Sequence, residues 1–163
     1  NAETARSIMF KKGRIFIGGD HAAFALKARI VRYLREKGYE VTDFGPYKLD
    51  PADDYPDFIA PVAKAVAKTK DARGIALGGT GIGECIVANK FRGVRAALVY
   101  DAYTARLSRE HNDANVICLG GRTVTKNWNL TKRILDLWLA TPASKAARHK
   151  RRIAKITRFE KSV

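Results

Sequence analysis

Short apolar runs alternate with amphipathic stretches along most of the chain, and this alternation predicts strands and helices in turn. Strands are predicted over residues 14–19, 40–44, 73–79, 95–100 and 115–121. Helices are predicted over residues 22–37, 58–69, 83–90, 101–111 and 125–139, with a last, basic helix capped by Ser144. Asp57 and Asp101 are typical caps at helix starts, and Gly38 is typical of a helix end.

This alternation indicates an α/β fold with a five-stranded parallel sheet that helices cover on both faces. Residues 14–160 are predicted to form one domain, and residues 1–13 are interpreted as an N-terminal extension or a remnant of cloning. Parallel sheets of this kind bind ligands beyond the carboxyl ends of their strands. We therefore expect the functional site at that edge.

Polar side chains follow the strands at the edge where a ligand is expected. The first, third and fifth strands each end in Gly-Gly, and Asp20-His21, residues 80–84 and Arg122 come directly after them. His111 closes the helix that follows the fourth strand, and we place it on the same edge as His21. A single histidine at a sheet edge often has a purely structural role, but two at the same edge are harder to explain in that way.

The loop "GGTGIGE" ends in Glu84 at the start of a short helix. Its glycines allow backbone N–H groups to point at an anion, but a tight turn without a ligand fits the pattern equally well. The loop lacks the Gly-Lys-Ser/Thr ending of a P-loop and the last glycine of a dinucleotide motif. Glu84 either complements the helix dipole or acts as a general base beside an anion hole.

The two cysteines show no metal-binding or disulfide pattern, and we interpret both as reduced thiols of a cytoplasmic protein. Cys85 lies about 100° around the helix from Glu84 and starts an apolar run, which favours a buried structural residue. Cys118 alternates within a strand and is predicted to lie in the core. No histidine, cysteine or carboxylate spacing favours a metal site, and no apolar run approaches the length of a membrane span.

The formal net charge of +15 raises the question of nucleic-acid binding. Residues 143–163 hold eight lysines and arginines against one acidic residue, Glu160, whereas residues 15–142 have a net charge of only +5. Arg148 and Arg152 share one face of the last helix and could clamp a phosphate. By composition alone, a solvated basic face explains this helix best.

Several separated motifs resemble those of type B ribose-5-phosphate isomerases and occur in the same order. They are "IGGDHAAFALK", "DYPDF", "GGTGIGECIVANK", "RAAL", "SREHNDANVICLGGR" and "TPASKAARHKRRI". The resemblance covers about residues 14–160. It implies a Rossmann-like three-layer α/β/α sandwich and an aldose–ketose isomerase of the pentose phosphate pathway that needs no metal or other cofactor. It also implies a homodimer or a dimer of dimers whose active sites are shared between subunits.

The resemblance also bears on which side chain reacts. Many members of the family have a catalytic cysteine at the end of the third strand, where this chain has Gly78. In a branch resembling the mycobacterial members the base is a glutamate, which falls on Glu84. The resemblance therefore implies that Glu84 forms the enediolate and that Cys85 is only its neighbour.

Further roles follow from the resemblance, residue by residue. His111 would help to open the furanose ring, Asn112 would contact the sugar or the enediolate, Asp20 would bind a sugar hydroxyl or assist ring opening, and Tyr55 would line the pocket. The implied anion hole consists of four loop residues: Gly79, Thr80, Gly81 and Gly83. The implied phosphate site consists of four basic residues: His21, Arg122 and, from the partner subunit, Arg148 and Arg152.

Three alternatives remain open from the sequence. The same mechanism could act on another sugar phosphate, such as a tetrulose phosphate, allose 6-phosphate or galactose 6-phosphate. The charge leaves a nucleic-acid-binding protein as a different class, although no aromatic residues lie in a row among the basic ones. A catalytically dead sugar-phosphate binder is disfavoured because Glu84 and His111 are both present.

Overall fold

The structure is a computed structural model that describes residues 12–162, so most of the N-terminal extension lies outside the described residues. The strands are β1 (Lys12–Gly19), β2 (Tyr39–Asp43), β3 (Arg73–Gly78), β4 (Ala96–Leu98) and β5 (Val116–Gly120). The helices are α1 (Phe24–Glu36), α2 (Tyr55–Lys68), α3 (Ile82–Ala88), α4 (Ala102–Glu110), α5 (Trp128–Ala140) and α6 (Ala147–Lys161). Short 3₁₀ turns occupy His21–Ala23 and Val124–Lys126.

The five strands form one all-parallel sheet in the order β2-β1-β3-β5-β4, which confirms the predicted fold class. From β1 the chain proceeds to β2 on one side and to β3 on the other. The order therefore reverses between β1 and β3, where a crevice opens at the carboxyl ends of the two strands. Asp20 follows β1 and the glycine loop follows β3, so both flank this crevice.

Helices bury both faces of the sheet, as the apolar runs of the strands predict. On one face α1 and α5 pack over side chains such as Ile17, Leu77 and Leu119, with Trp138 fully buried. On the other face α2 and α3 cover a cluster that includes Phe16, Val116 and Cys118. Both layers are continuous along the sheet, which holds the strand ends in fixed positions beneath the site.

Two predicted helix caps are wrong and one is confirmed. Asp101 accepts a hydrogen bond from Thr104 N–H in a capping box and begins α4. Asp57 lies inside the first turn of α2, because Pro56 is tolerated at a helix start and the helix begins earlier. Ser144 lies before the α6 cap at Ala146, whose N–H it binds at 3.1 Å.

A buried ion pair anchors the loop between β2 and α2. Lys27 of α1 is almost fully buried, and its ammonium group donates to both carboxylate oxygens of Asp43 at 2.7 and 2.6 Å. Asp43 also accepts a hydrogen bond from Gly45 N–H at 2.8 Å. The loop that carries Asp53 and leads into Tyr55 therefore starts from a fixed point. Within residues 12–162, none of the helices combines the length and apolarity needed to cross a bilayer.

Candidate active site

The residues at the carboxyl ends of β1, β3 and β5 hold one another in place. Asp20 N–H donates to the Leu77 carbonyl at 3.2 Å, and Arg122 N–H donates to the Gly79 carbonyl at 3.0 Å. A Cβ on Gly120 would meet the Thr80 backbone at 2.8 Å, so the turn after β5 packs directly on the glycine loop. The three Gly-Gly strand ends thus form one rigid platform.

Glu84 lies at the centre of this platform, with 3 % of its surface exposed. Its carboxylate occupies the space directly above Gly78, where a Cβ would overlap the carboxylate atoms. Gly81, with a φ of 83°, turns the chain so that α3 can begin and direct Glu84 back toward β3. A glycine at residue 78 is therefore required for this placement of Glu84.

Burial raises the pKa of the Glu84 carboxyl above the ordinary glutamate value, and the nearby Asp20 carboxylate raises it further. Hydrogen bonds from the backbone N–H groups of Glu84 and Gly81 oppose these effects without cancelling them. A carboxylate with a raised pKa is a stronger base than an exposed one, which suits proton abstraction from carbon.

Tyr55 and Arg122 contact different parts of the glycine loop. A Cβ on Gly83 would meet the Tyr55 ring at 2.6 Å, so the first residue of α2 packs against the start of α3. The Arg122 side chain lies over Gly79, whose hypothetical Cβ would be 3.4 Å from the guanidinium Nη1. The structure thus places both side chains against the glycine loop, and their roles toward a ligand stay predictions.

His21 has a partner that the sequence interpretation missed. Asp53 Oδ1 lies 2.6 Å from His21 Nδ1 and also accepts from His21 N–H at 3.2 Å. Asp20, His21 and Asp53 each offer a ligand atom within 4.8 Å of the others and are the residues here that could hold a metal ion. Asp53 lies in the loop after β2 and therefore returns to the same sheet edge, which is the signal that could have found it.

The thiols lie away from the Glu84 carboxylate. Cys85 Sγ donates to the Ala96 carbonyl at 3.3 Å, on the side of α3 that faces β4, and the buried Cys118 lies beside it. The hydrogen bond between the two thiols lowers the pKa of Cys85 and raises that of Cys118, which burial raises further. The prediction that Cys85 points away from Glu84 is confirmed.

The placement of His111 at the same sheet edge as His21 is wrong within one chain. Helix α4 begins after the carboxyl end of β4 and runs antiparallel to the strands for nine residues, about 13 Å. His111 therefore caps α4 near the amino ends of β4 and β5. Asn112 lies there too, because its carbonyl accepts a hydrogen bond from Arg95, the residue that precedes β4.

A second basic cluster surrounds His111 at this opposite edge. The His111 ring stacks on the ring of His149, with centroids 4.3 Å apart and planes 35° apart. His149 is 5 % exposed; desolvation and the positive charges of His111, Arg148 and Arg152 lower its pKa. The structure therefore brings His111, Arg148 and Arg152 together in one group and Asp20, His21 and Glu84 in another.

Comparisons with known proteins give a consistent result. The family model described as Ribose/Galactose Isomerase matches residues 15–156. The ribose-5-phosphate isomerase B of Mycolicibacterium paratuberculosis is 43 % identical over 149 residues, which cover 91 % of this chain and 92 % of the relative. That of Escherichia coli is 43 % identical over 147 residues, covering 90 % and 96 %.

Solved structures of ribose-5-phosphate isomerases of type B are also similar to this chain. The ribose-5-phosphate isomerase B of Mycoplasma genitalium superposes with a TM-score of 0.87 at 44 % identity, covering 93 % of this chain and 98 % of that one. That crystal structure contains bound ribulose-5-phosphate. The type B enzyme of Trypanosoma cruzi superposes with a TM-score of 0.86 at 43 % identity, covering 93 % and 98 % of the two chains.

Proposed function

The chain belongs to the ribose/galactose isomerase family, and from this premise we propose how it interconverts D-ribose 5-phosphate and D-ribulose 5-phosphate. The reaction moves a proton between C2 and C1 of the open-chain sugar through an enediolate. It needs a base within reach of both carbons and donors for the oxygen that gains charge. It needs no redox group, so we assign no cofactor.

We assign the base to Glu84. Its carboxylate takes the proton from C2 of the aldose, and negative charge collects on O1. The proton returns to C1 while O2 loses its hydroxyl proton and becomes the ketone oxygen, and O1 is protonated. The observation that carries this assignment is the buried carboxylate above Gly78, whose raised pKa favours proton transfer from carbon.

The glycine loop supplies the donors for the enediolate. We assign the oxyanion to backbone N–H groups of Gly79, Thr80, Gly81 and Gly83. Gly83 lies in the first turn of α3, where N–H groups have no partner within the helix, and Gly79 and Thr80 belong to the loop before the cap at Gly81. Preorganised donors of this kind stabilise developing charge without having to reorient.

The substrate is held by groups on either side of the base. Asp20 binds a sugar hydroxyl, Tyr55 forms one wall, and His21 with Arg122 binds the phosphate. The Arg122 guanidinium lies over Gly79 of the glycine loop, which supports a contact with a terminal phosphate. Binding energy at the phosphate orients C1 and C2 against Glu84.

The remaining residues come from a second copy of the chain, so that the site is shared. His111, Asn112, Arg148 and Arg152 lie at the opposite sheet edge and do not reach Glu84 of their own chain. An exposed apolar patch of Ile82, Ile86 and Leu98 lies beside Glu84 and offers the surface for that copy. We propose a homodimer, or a dimer of dimers, in which His111 of the partner opens the sugar ring. We place the enzyme in the cytoplasm, where its free thiols stay reduced.

Two measurements test this function. The kcat/KM for ribose 5-phosphate should exceed those for allose 6-phosphate, galactose 6-phosphate and a tetrulose phosphate; a higher value for one of these would transfer the mechanism to that sugar.

Mixing inactive Glu84→Gln with inactive His111→Ala subunits should restore about a quarter of the wild-type activity, because half of the random dimers carry one intact site. No restoration after subunit exchange would contradict the shared site.

A further inference from the structure

One oxygen of the Asp53 carboxylate accepts two hydrogen bonds from His21 and holds it in place. Oδ1 accepts from the His21 backbone N–H at 3.2 Å and lies 2.6 Å from ring Nδ1. The backbone bond fixes the carboxylate relative to the chain, and the ring bond fixes the imidazole relative to the carboxylate. His21 therefore has one orientation, set by a residue 32 positions further along the chain.

The Asp53 carboxylate is buried beside His21. The Asp53 side chain is 6 % exposed, whereas His21 is 29 % exposed. Within residues 12–162, Asp53 Oδ2 is buried and has no hydrogen-bond partner. Burying a carboxylate with one oxygen unpaired destabilises the folded protein, and closing a surface loop does not require such burial. This points to a role for Asp53 at His21.

The chemistry of the pair determines which nitrogen a ligand meets. An ionised carboxylate only accepts hydrogen bonds, so the 2.6 Å contact assigns a hydrogen to Nδ1. Nε2 then remains for the ligand. A ring that carries a hydrogen on Nε2 as well can donate to Asp53 and to a phosphate at the same time.

We propose that Asp53 is a positioning residue that presents Nε2 of His21 to the substrate phosphate. This inference rests on the proposed function, in which His21 contacts that phosphate. Asp53 itself does not touch the substrate. Its effect should therefore appear in phosphate binding and not in the proton-transfer step.

The neighbouring Asp54 provides a matched control. It carries the same charge one residue away, is exposed, and its side chain makes no capping hydrogen bond at the start of α2. Asp53→Asn and Asp54→Asn remove the same charge from the same loop with almost no change in volume. Only Asp53→Asn removes a charged partner from His21.

The kinetic test compares both variants with the wild type. In Asp53→Asn the KM for ribose 5-phosphate and the inhibition constant of inorganic phosphate should rise about tenfold to a hundredfold, as expected when a charge-assisted hydrogen bond is lost. The kcat should stay within about threefold, because the phosphate is bound equally in the ground and transition states. In a His21→Asn background, Asp53→Asn should raise neither the KM nor the inhibition constant of phosphate any further.

A spectroscopic test separates this proposal from the proposed function. In ¹⁵N-labelled protein the His21 Nδ1–H signal should be present in the wild type and in Asp54→Asn, and weakened or lost in Asp53→Asn. A folded Asp53→Asn variant with wild-type phosphate inhibition and an unchanged His21 signal would overturn the proposal. If the wild type does not turn over ribose 5-phosphate, the proposed function fails, while the spectrum and phosphate binding still test the Asp53–His21 pair.

Discussion

A methyl group added at residue 78 should remove the catalytic base from its position. A Cβ at Gly78 would overlap Oε1 and Cδ of Glu84, so the carboxylate must leave its buried position. General base catalysis contributes about 10²- to 10⁴-fold, and we expect Gly78→Ala to lose that much in kcat/KM. Overpacking should lower the free energy of unfolding by about 1–3 kcal/mol.

The assay measures ribose 5-phosphate isomerisation and urea unfolding in Gly78→Ala and in the control Gly13→Ala. A Cβ at Gly13 would have its nearest neighbour 3.8 Å away, so this variant should behave as the wild type. Gly78→Cys should be inactive for the same steric reason, whereas the double variant Gly78→Cys/Glu84→Ala gives the new thiol room and should recover part of the activity. Gly78→Ala with activity within twofold of the wild type would refute the reasoning.

Three further predictions concern stability, pH and the thiol. Lys27→Ala should lower the free energy of unfolding by about 3 kcal/mol, because it removes the ion-pair partner of the half-buried Asp43. Lys37→Ala, at a more exposed ion pair, should lower it by less than about 1 kcal/mol. Equal losses for the two variants in urea titrations would contradict this expectation. Because the pKa of Glu84 is raised on folding, stability should fall as pH rises from the unfolded glutamate value, about 4.3, through the folded pKa. Glu84→Gln should abolish that fall in stability. In the wild type, kcat/KM should rise with pH through the same raised pKa. A rise of kcat/KM at the ordinary glutamate pKa would contradict this prediction. Cys85→Ala should keep kcat/KM within about threefold, since the thiol faces β4, and a loss of tenfold or more would assign it a role.

The sheet and its layers could be predicted because the strands are read from local patterns. The run of residues 74–79 has no polar side chain, which is typical of a strand that is covered on both faces. The strand order could not be predicted, since it depends on which helices pack together across the sheet. The cap at Asp57 was wrong because a proline at the start of a helix and an acidic cap compete for the same few residues, and Pro56 lies inside the first turn of α2.

The candidate site could be predicted only in part. Asp20 could be placed at this edge because it directly follows β1, and Glu84 because the glycine loop that leads to it follows β3. His111 was misplaced because a helix after a parallel strand carries its end back to the other edge, and nine residues are enough to do so. The loop after β2 could be placed at the same edge, but Asp53 could not be singled out within it, because contacts such as Lys27–Asp43 fix the path of the loop.

The assignment of the base is tested most directly by proton exchange in D₂O with EDTA present, measured as deuterium incorporation into ribose 5-phosphate by wild type, Glu84→Gln and Cys85→Ala. The wild type and Cys85→Ala should incorporate deuterium at comparable rates. Glu84→Gln should still bind the substrate but incorporate none above background. Incorporation by Glu84→Gln at the wild-type rate, or its loss in Cys85→Ala, would contradict the carboxylate mechanism.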